Sequence, residues 1–379
     1  MFERVFQHKT MLGDEVRMDA YKKGIHEVVK EGDVIADIGT GSGILAFFAV
    51  QAGAGTVYAA EQDSIIEEAE KLAKIRGLDN KIVFMKGKSD RVELPEKVDV
   101  ITSELIGYFG LEENLLHFKI NARERFLKPG GRLVPAWLEL YLVPVESEVI
   151  WKKNIGPWTR DYYGFDFSPV RDYAVSQRYL TNCTNKVNQL AAPSMISHID
   201  FYEIEKIPFV FEAEFAINKN GRFHGLMGYF RSGLSPNVVL STSSEEPVTH
   251  WEQTFFPLED MVLVEEGDEV SCKIKAIPQM NTVFWEWRTS VNRKGKKIGK
   301  FNQSNLHISK EELVMGRKDF KPVLSQDGEM LRRVLELCDG KRSMGEISAM
   351  IMTDYPEKYE NFKDAMQQLV GILQQVVKI

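Results

Sequence analysis

VIADIGTGSGILAFFAVQA, residues 34–52, is the stretch that decides the fold. Val34 to Ile38 is a short apolar run carrying one acid, Asp37, near its end. Gly39-Thr40-Gly41-Ser42-Gly43 follows directly, and then a helical pattern from Ile44 to Ala52. Strand, glycine turn and helix N-terminus are the layout of a doubly wound α/β domain. A lone GxGxG is weak evidence, but here the context is right on both sides. Working outward, Val57 to Ala60 reads as a second strand that ends in Glu61, placed to meet ribose hydroxyls. Lys81 to Met85 reads as a third, leading to Gly87, Ser89 and Asp90, where Asp90 can accept from an adenine amino group. Val98 to Thr102 reads as a fourth and delivers Glu104. Any one of these acids also fits a surface cap or turn. Their shared place, at the carboxyl edge of a parallel sheet, argues for a ligand site.

The fourth strand runs into SELIGYFGLEENLL, residues 103–116. Glu104 and Glu113 are separated by Gly107 and Gly110, so the chain can turn sharply and bring both carboxylates toward one point. Two converging anions suit a flat cation, and a guanidinium is the natural partner. On its own the pair also fits an exposed acidic loop.

The chain has 379 residues, enough for two or three domains and a sizeable core. Hydrophobic residues are 44% and charged residues 27%, as in an ordinary soluble globular protein. A net charge of −7 argues against bulk nucleic-acid binding and suits a cationic substrate. Cys183, Cys272 and Cys338 have neither metal nor redox spacing and read as buried thiols of a reducing compartment. No apolar run approaches membrane-spanning length, and MFERVFQHKT is no signal peptide. The expectation is a cytoplasmic protein with neither nucleic acid nor membrane as partner.

Past Leu127-Lys128-Pro129-Gly130-Gly131, read as a helix end and turn, the pattern becomes β-rich. Leu138 to Val145, Phe209 to Ile217, Phe223 to Ser232, Glu269 to Ile277 and Thr282 to Val291 alternate without intervening helices, which suggests a sandwich or barrel. Pro144, Pro247 and Pro278 are expected at strand ends or edges. Trp151 to Gln189 is dense in aromatics. It reads as a protrusion covered either by its own domain or by a partner. Lys310 to Leu324 reads as a polar linker. Helical patterns follow over Asp327 to Leu337, Ser343 to Met352 and Asn361 to Val377. Ser343 with Glu346 makes a capping box, and Met330, Leu331, Val334, Leu335 and Cys338 form one stripe.

GxGxG after a strand bearing Asp37 resembles motif I of the S-adenosylmethionine-dependent methyltransferases. With the Glu104/Glu113 loop the resemblance narrows to the protein arginine methyltransferases, over about residues 8–305. It implies that Glu104 and Glu113 grip a substrate guanidinium. It also implies that Arg17, Asp37, Gly39, Gly41, Gly43, Glu61, Ser89, Asp90 and Glu104 serve the cofactor, S-adenosyl-L-methionine. Arg17 would pair with the cofactor's methionine carboxylate. In HKTMLGDEVRMDAY, which resembles the segment before the first strand, Met11 would line the site. Thr249-His250-Trp251 resembles the family's THW loop, so that His250 would meet Asp14 beside the glutamates. Tyr108 and Trp251 would join Met11 on the substrate side. The aromatic stretch 151–189 would be a dimerisation arm, giving a homodimer. No metal is implied. LELCDGKRSMGEISAMI resembles, over fewer residues, PqqD-like peptide-recognition modules; a small helical cap fits it too. Two features depart from the family: a YFxxY-like helix is expected before His8, where MFERVFQ offers Phe2 and Phe6, and Leu105 and Ile106 stand where Trp and Met are usual.

The expected architecture is therefore α/β: a Rossmann-like cofactor domain (1–135), a β-barrel substrate domain (136–310) with its arm, and a helical domain (320–379). The expected reaction is methyl transfer to an arginine guanidinium nitrogen in a protein or peptide. An N- or O-methyltransferase of another group, or a non-catalytic adaptor keeping the fold, are the competing readings.

Overall fold

Strand β1, Val34–Ile38, is central because apolar residues line both its faces and four of its five residues are buried. Around it lie β2 (Thr56–Glu61), β3 (Ile82–Lys86), β4 (Val98–Ser103) and β5 (Leu127–Val134), all parallel, in the order β3-β2-β1-β4-β5. The computed structural model from which these elements are taken describes residues 2–206, 209–279, 282–306, Met315 and 319–373. Helices α1 (Phe2–Gly13) and α2 (Glu15–Val28) precede β1. Helices α3 (Ile44–Gln51) and α4 (Ile65–Ile75) connect the first strands, and α5 (Leu115–Phe126) follows β4. The chain reverses strand order beside β1, so β1 and β4 open a crevice at their carboxyl ends.

The segment Leu127–Gly131 corrects the sequence reading. It is the first half of β5, not a turn. Its register with β4 slips between Val98 and Val100, so Pro129 and the two glycines loop out as a bulge while Arg132 to Val134 resume the ladder. Lys119 of α5 is buried, and its ammonium donates to the carbonyls of Val134 and Pro135, both at 3.3 Å. Burial pulls the Lys119 pKa down to about 7, against the attraction of Asp37. This contact holds the crossing from the parallel sheet into the second half of the chain.

That half is antiparallel. Strand β6 (Trp137–Glu146) is followed by α6 (Glu148–Asn154), the small hairpin β7 (Asp161–Tyr162) with β8 (Phe165–Asp166), α7 (Arg171–Val175) and β9 (Tyr179–Thr181). Then come β10 (Asn188–Gln189), β11 (Ser194–Asp200), β12 (Val210–Ala216), β13 (Gly221–Ser235), β14 (Val238–Ser241), β15 (Gln253–Val264), β16 (Glu269–Gln279), β17 (Thr282–Arg293) and β18 (Lys296–Ser304). They form a seven-stranded sheet, β10-β6-β13-β15-β9 with β11 and β14 attached, and a four-stranded sheet, β12-β16-β17-β18. Phe109, Phe256, Trp285 and Trp287 pack between them. Pro144 is a second correction, because it lies inside β6 and not at an end. It pairs with Leu226, and its other side faces the break between β10 and β11, where no ladder donor is needed.

The chain divides into two compact units, Met1–His307 and Ile308–Ile379. In the second, helices Gln326–Leu337, Met344–Asp354 and Phe362–Leu373 share their own core of Met330, Val334, Leu337, Ile347, Ile351, Ala365, Leu369 and Leu373. The Ser343–Glu346 capping box is formed. The stripe is narrower than the sequence suggests: Leu331 and Leu335 are exposed, one position off the Met330–Val334–Leu337 line. Most of the linker Lys310–Leu324, the last residues of the final helical pattern, 374–377, and the side chain of Phe2 lie outside the described residues.

Candidate active site

The glycine turn after β1 is built from below. Asp37 is fully buried, and its two carboxylate oxygens accept from Thr40 Oγ1 (2.6 Å) and Thr102 Oγ1 (2.9 Å). Burial raises its carboxyl to about 6, while the hydrogen bonds from Thr40, Thr102 and the Ala46 N–H oppose the shift. Asp37 thus ties the turn to β4 from behind the cavity wall. Gly43 likewise lies behind it, as the N-cap of α3. Gly39 and Gly41 do face the cavity. Gly41 has φ +52°, and a Cβ there would come within 2.9 Å of His8 Cε1, so the backbone is free to approach a ligand closely.

Two adjoining chambers open over this turn, sharing Gly39, Glu61, Leu105 and Glu113. One, of about 500 Å³, is bordered by Glu61 at the end of β2 and by Ser89 and Asp90 after β3. Glu61 is steadied by the N–H groups of Gly41 (3.2 Å) and Asp63 (2.8 Å). The other, of about 430 Å³, is bordered by Met11 and His8 of α1, by Glu104, Tyr108 and Glu113, and by His250 and Trp251. A cavity of similar size lies apart from these, on the outer face of the four-stranded sheet around Ser271 and Ser290. It holds no comparable group of acids at a strand end.

The acidic loop is shaped by close approach. A Cβ on Gly107 would lie 2.3 Å from Glu112 Cβ, so only glycine fits there. Glu113 itself takes a left-handed conformation, φ 63°, within the short turn Glu112–Asn114. Such a conformation is uncommon for a side-chain-bearing residue and marks a constrained site. Glu104 and Glu113 both border the smaller chamber. Glu113 is open to solvent at its mouth. Burial of the carboxyl against the wall, then the charges of Glu104 and Glu112, raise its pKa to about 7, with Arg17 opposing.

Arg17 is paired with Glu104. Its Nε (3.1 Å) and Nη2 (2.5 Å) both donate to Glu104 Oε2, and Nη1 donates to Met11 O (3.2 Å). The pair is buried, with side chains 6% and 7% exposed. Asp14 caps α2 by accepting from the Arg17 N–H, and both the N–H and Nδ1 of His250 lie 2.8 Å from its Oδ2. Burial opposes ionisation of Asp14, but hydrogen bonds from His250 and Arg17 and the His250 charge hold its carboxyl below the usual range. Trp251 is almost wholly buried; its indole N–H donates to Ile106 O (2.8 Å), pinning the loop that carries Glu104. His8, Phe6 and Thr10 also border the chamber and carried no role in the sequence reading. Burial lowers the His8 imidazole, Glu61 raises it and Arg17 lowers it, the balance being downward. The signal for His8 was its place, directly ahead of the Met11–Asp14 segment.

Residues 138–286 match the family model described as the arginine methyltransferase oligomerization subdomain. Residues 22–134 match that of ribosomal protein L11 methyltransferase. The chain is 34% identical over 282 residues to protein arginine N-methyltransferase 8-B of Danio rerio, covering 72% of this chain and 67% of that protein. It is 33% identical over 287 residues to protein arginine N-methyltransferase 6 of the same fish, covering 72% and 81%. Among solved structures, Arabidopsis thaliana protein arginine methyltransferase 10 superposes with a TM-score of 0.69 at 27% identity, over 79% of this chain and 98% of that one. The Trypanosoma brucei PRMT1 enzyme–prozyme heterotetrameric complex with AdoHcy superposes at 0.72 with 24% identity, over 78% and 96%, a likeness of fold. Fold and cleft together define an S-adenosylmethionine-dependent methyltransferase. The chain belongs to the protein arginine N-methyltransferases. Its cofactor, S-adenosylmethionine, fits the two chambers: the Gly41 turn gives the close backbone approach, and Glu61 and Asp90 give acceptors for hydroxyl and amino groups. The family models end at residue 286, so the likeness of the C-terminal segment to PqqD-like modules draws no support from them.

Proposed function

We propose that this chain transfers a methyl group from S-adenosylmethionine to a guanidinium nitrogen of arginine in a protein or peptide, with Glu104 and Glu113 as the clamp. The carrying observation is that both glutamates border one chamber and that the charge of Glu104 weighs on Glu113. Two anions forced together are relieved by a flat cation that bridges them. A neutral hydroxyl would need one base, which tells against the O-methyl reading.

The cofactor supplies an electrophilic methyl on a sulfonium. A guanidinium nitrogen is a poor nucleophile because its lone pair is delocalised. Carboxylates on either side hold the plane and concentrate charge so that one nitrogen faces the methyl. Positioning of this kind is worth up to roughly 7–11 kcal/mol. The nitrogen that gains the methyl must shed a proton, and Glu113, with a pKa of about 7, is matched to accept it near neutral pH. His250 and Asp14, joined at 2.8 Å, brace the opposite wall and anchor Arg17. Met11, Tyr108 and Trp251 form the substrate side, with Trp251 acting through Ile106.

The division into cofactor domain, substrate domain and C-terminal helical domain belongs to the same proposal, with the two antiparallel sheets read as walls of one barrel. So does a homodimer. In the arm, Ile155, Ala174 and Val175 pack beneath Trp151 and Trp158, yet Tyr163 and Phe165, at the hairpin of β7 and β8, are exposed. A second copy is the natural cover for such a hairpin. Free Cys183, Cys272 and Cys338 suit a reducing compartment such as the cytoplasm.

Glu104→Gln and Glu113→Gln test the clamp. Each should lower turnover on an arginine peptide by at least about a hundredfold, in line with loss of one preorganised charge-stabilising group. Glu113→Gln should leave S-adenosylmethionine affinity in titration calorimetry within a few-fold. Near-normal turnover in both variants would show the glutamates to be structural.

A further inference from the structure

The acid beside the clamp has a partner that the reaction does not require. Glu112 is buried, and Arg178 reaches it from the end of the arm, between α7 and β9. Arg178 Nη2 lies 3.1 Å from Glu112 Oε1, with the side chains 16% and 9% exposed. The other carboxylate oxygen, Oε2, accepts from the Phe109 N–H at 3.0 Å. Oε1 has no aligned hydrogen bond among the described residues, so the Arg178 contact is ionic and is what neutralises that oxygen. Glu112 also stands against Gly107, whose missing Cβ makes room for it. Thus a carboxylate from the residue next to Glu113 is held against the limb that follows Glu104, and the arm holds that carboxylate.

We propose that Arg178 is a positioning residue for methyl transfer: by neutralising Glu112 it sets the ionisation and placement of Glu113 in the clamp. This rests on the clamp reading above. The charges facing Glu113 come from several elements. Glu104 approaches from the end of β4, Glu112 from its own turn and Arg17 from α2. His117 of α5, and Glu61, His8 and His250, border the same chambers. Glu112 is one of the acids that raise Glu113, so its neutralisation decides how strongly it does so. Without Arg178, the buried Glu112 carboxylate keeps the Phe109 N–H but loses its counter-charge beside Glu113. A like charge favours the protonated acid, so Glu113 would ionise only at higher pH.

The test is turnover against pH on full-length protein, with S-adenosylmethionine and an arginine peptide, for wild type, Arg178→Met, Arg178→Lys, Glu112→Gln and the double variant Arg178→Met/Glu112→Gln. Arg178→Met should move the acid limb upward by about one pH unit, costing up to about tenfold in turnover at neutral pH and little at about pH 9. Arg178→Lys should keep the limb near its wild-type place. The double variant should return it there or below, and Glu112→Gln alone should move it down. A limb that stays put in Arg178→Met, with an equal loss at every pH, would make the ion pair merely structural and overturn the proposal. Should Arg178→Met fail to fold, an unmoved limb in Glu112→Gln overturns it as well. Glu113→Gln separates the two claims. If it keeps full turnover the clamp itself is wrong; if it loses turnover while Arg178→Met shows no shift, only the coupling is wrong.

Discussion

Glu113 must be ionised to hold a cation, and its pKa of about 7 places that requirement at neutral pH. The sign follows from the shift. The ordinary value is 4.5, so between 4.5 and about 7 the folded chain keeps a proton that the unfolded chain releases. The Glu113 contribution to stability therefore weakens as pH rises through that window, while binding of a guanidinium strengthens. The kcat/KM profile on an arginine peptide should show an acid limb near pH 7. The kcat profile should show it lower, because the bound cation favours the anion. A kcat/KM profile flat from about pH 5 to 8 would contradict the assignment. The two glutamates were legible in the sequence because a glycine-rich loop after a buried strand is a local signal. The pairing of Arg17 with Glu104 was not, since it joins residues 87 positions apart and depends on how α2 packs beside β4. Arg178 and Glu112 were silent for the same reason: Glu112 lies in the acidic loop but Arg178 is 66 residues further on, and only the fold brings them together.

At the level of elements, the first four parallel strands were legible because burial on both faces leaves short apolar runs bounded by glycine and acids. The turn after β1 and the acid after β2 then define where a ribose would lie. Replacing Glu61 by Ala should remove hydrogen bonds to a charged acceptor, worth about 1.5–3 kcal/mol. Calorimetry should therefore find S-adenosylmethionine binding weakened by roughly ten- to a hundredfold, and unchanged affinity would remove Glu61 from the site. Of the longer strands, β5, β11 and β18 were missed, and β15 was read only as a run opened by Thr249-His250-Trp251. β18, KKIGKFNQS, is polar on an open sheet edge, where hydration replaces the alternation that marks a half-buried strand. β15 begins as a continuous buried run and is mostly exposed after Leu258 before Val264 is buried again, so neither period persists along it. Helix α1 was missed as well; several of its described residues face solvent, Phe6 among them. Its value lies in what it carries, because His8 and Met11 close one side of the cavity.

Over the whole molecule, the segment 151–189 carries both exposed aromatics and the arginine that meets the acidic loop. Tyr163, Phe165 and Tyr173 are exposed on it, and Arg178 meets Glu112 of the acidic loop. Sedimentation at micromolar concentration should show a dimer for the full chain. Substituting Tyr163 and Phe165 together with Ser should shift it toward monomer without lowering the melting temperature by more than a few degrees, since these two side chains are exposed and contribute little to the fold of one copy. A wild-type monomer under those conditions would remove the homodimer. The helices of the second unit were announced by a change of period near residue 325, where β patterns give way to helical ones. The separate core of Met330, Val334, Ile351 and Leu369 gives that change its physical basis.

The central claim is that a pair of carboxylates at the end of β4 presents an arginine side chain to the methyl donor. Its most direct measurement is mass spectrometry of two peptides, identical except that one carries arginine where the other carries lysine, each incubated with the full chain and S-adenosylmethionine. The account predicts methyl groups on the arginine side chain alone, none on the lysine twin, and none on either with Glu104→Gln/Glu113→Gln. Equal methylation of the lysine peptide, or methylated arginine produced by the double variant at the wild-type rate, would contradict it.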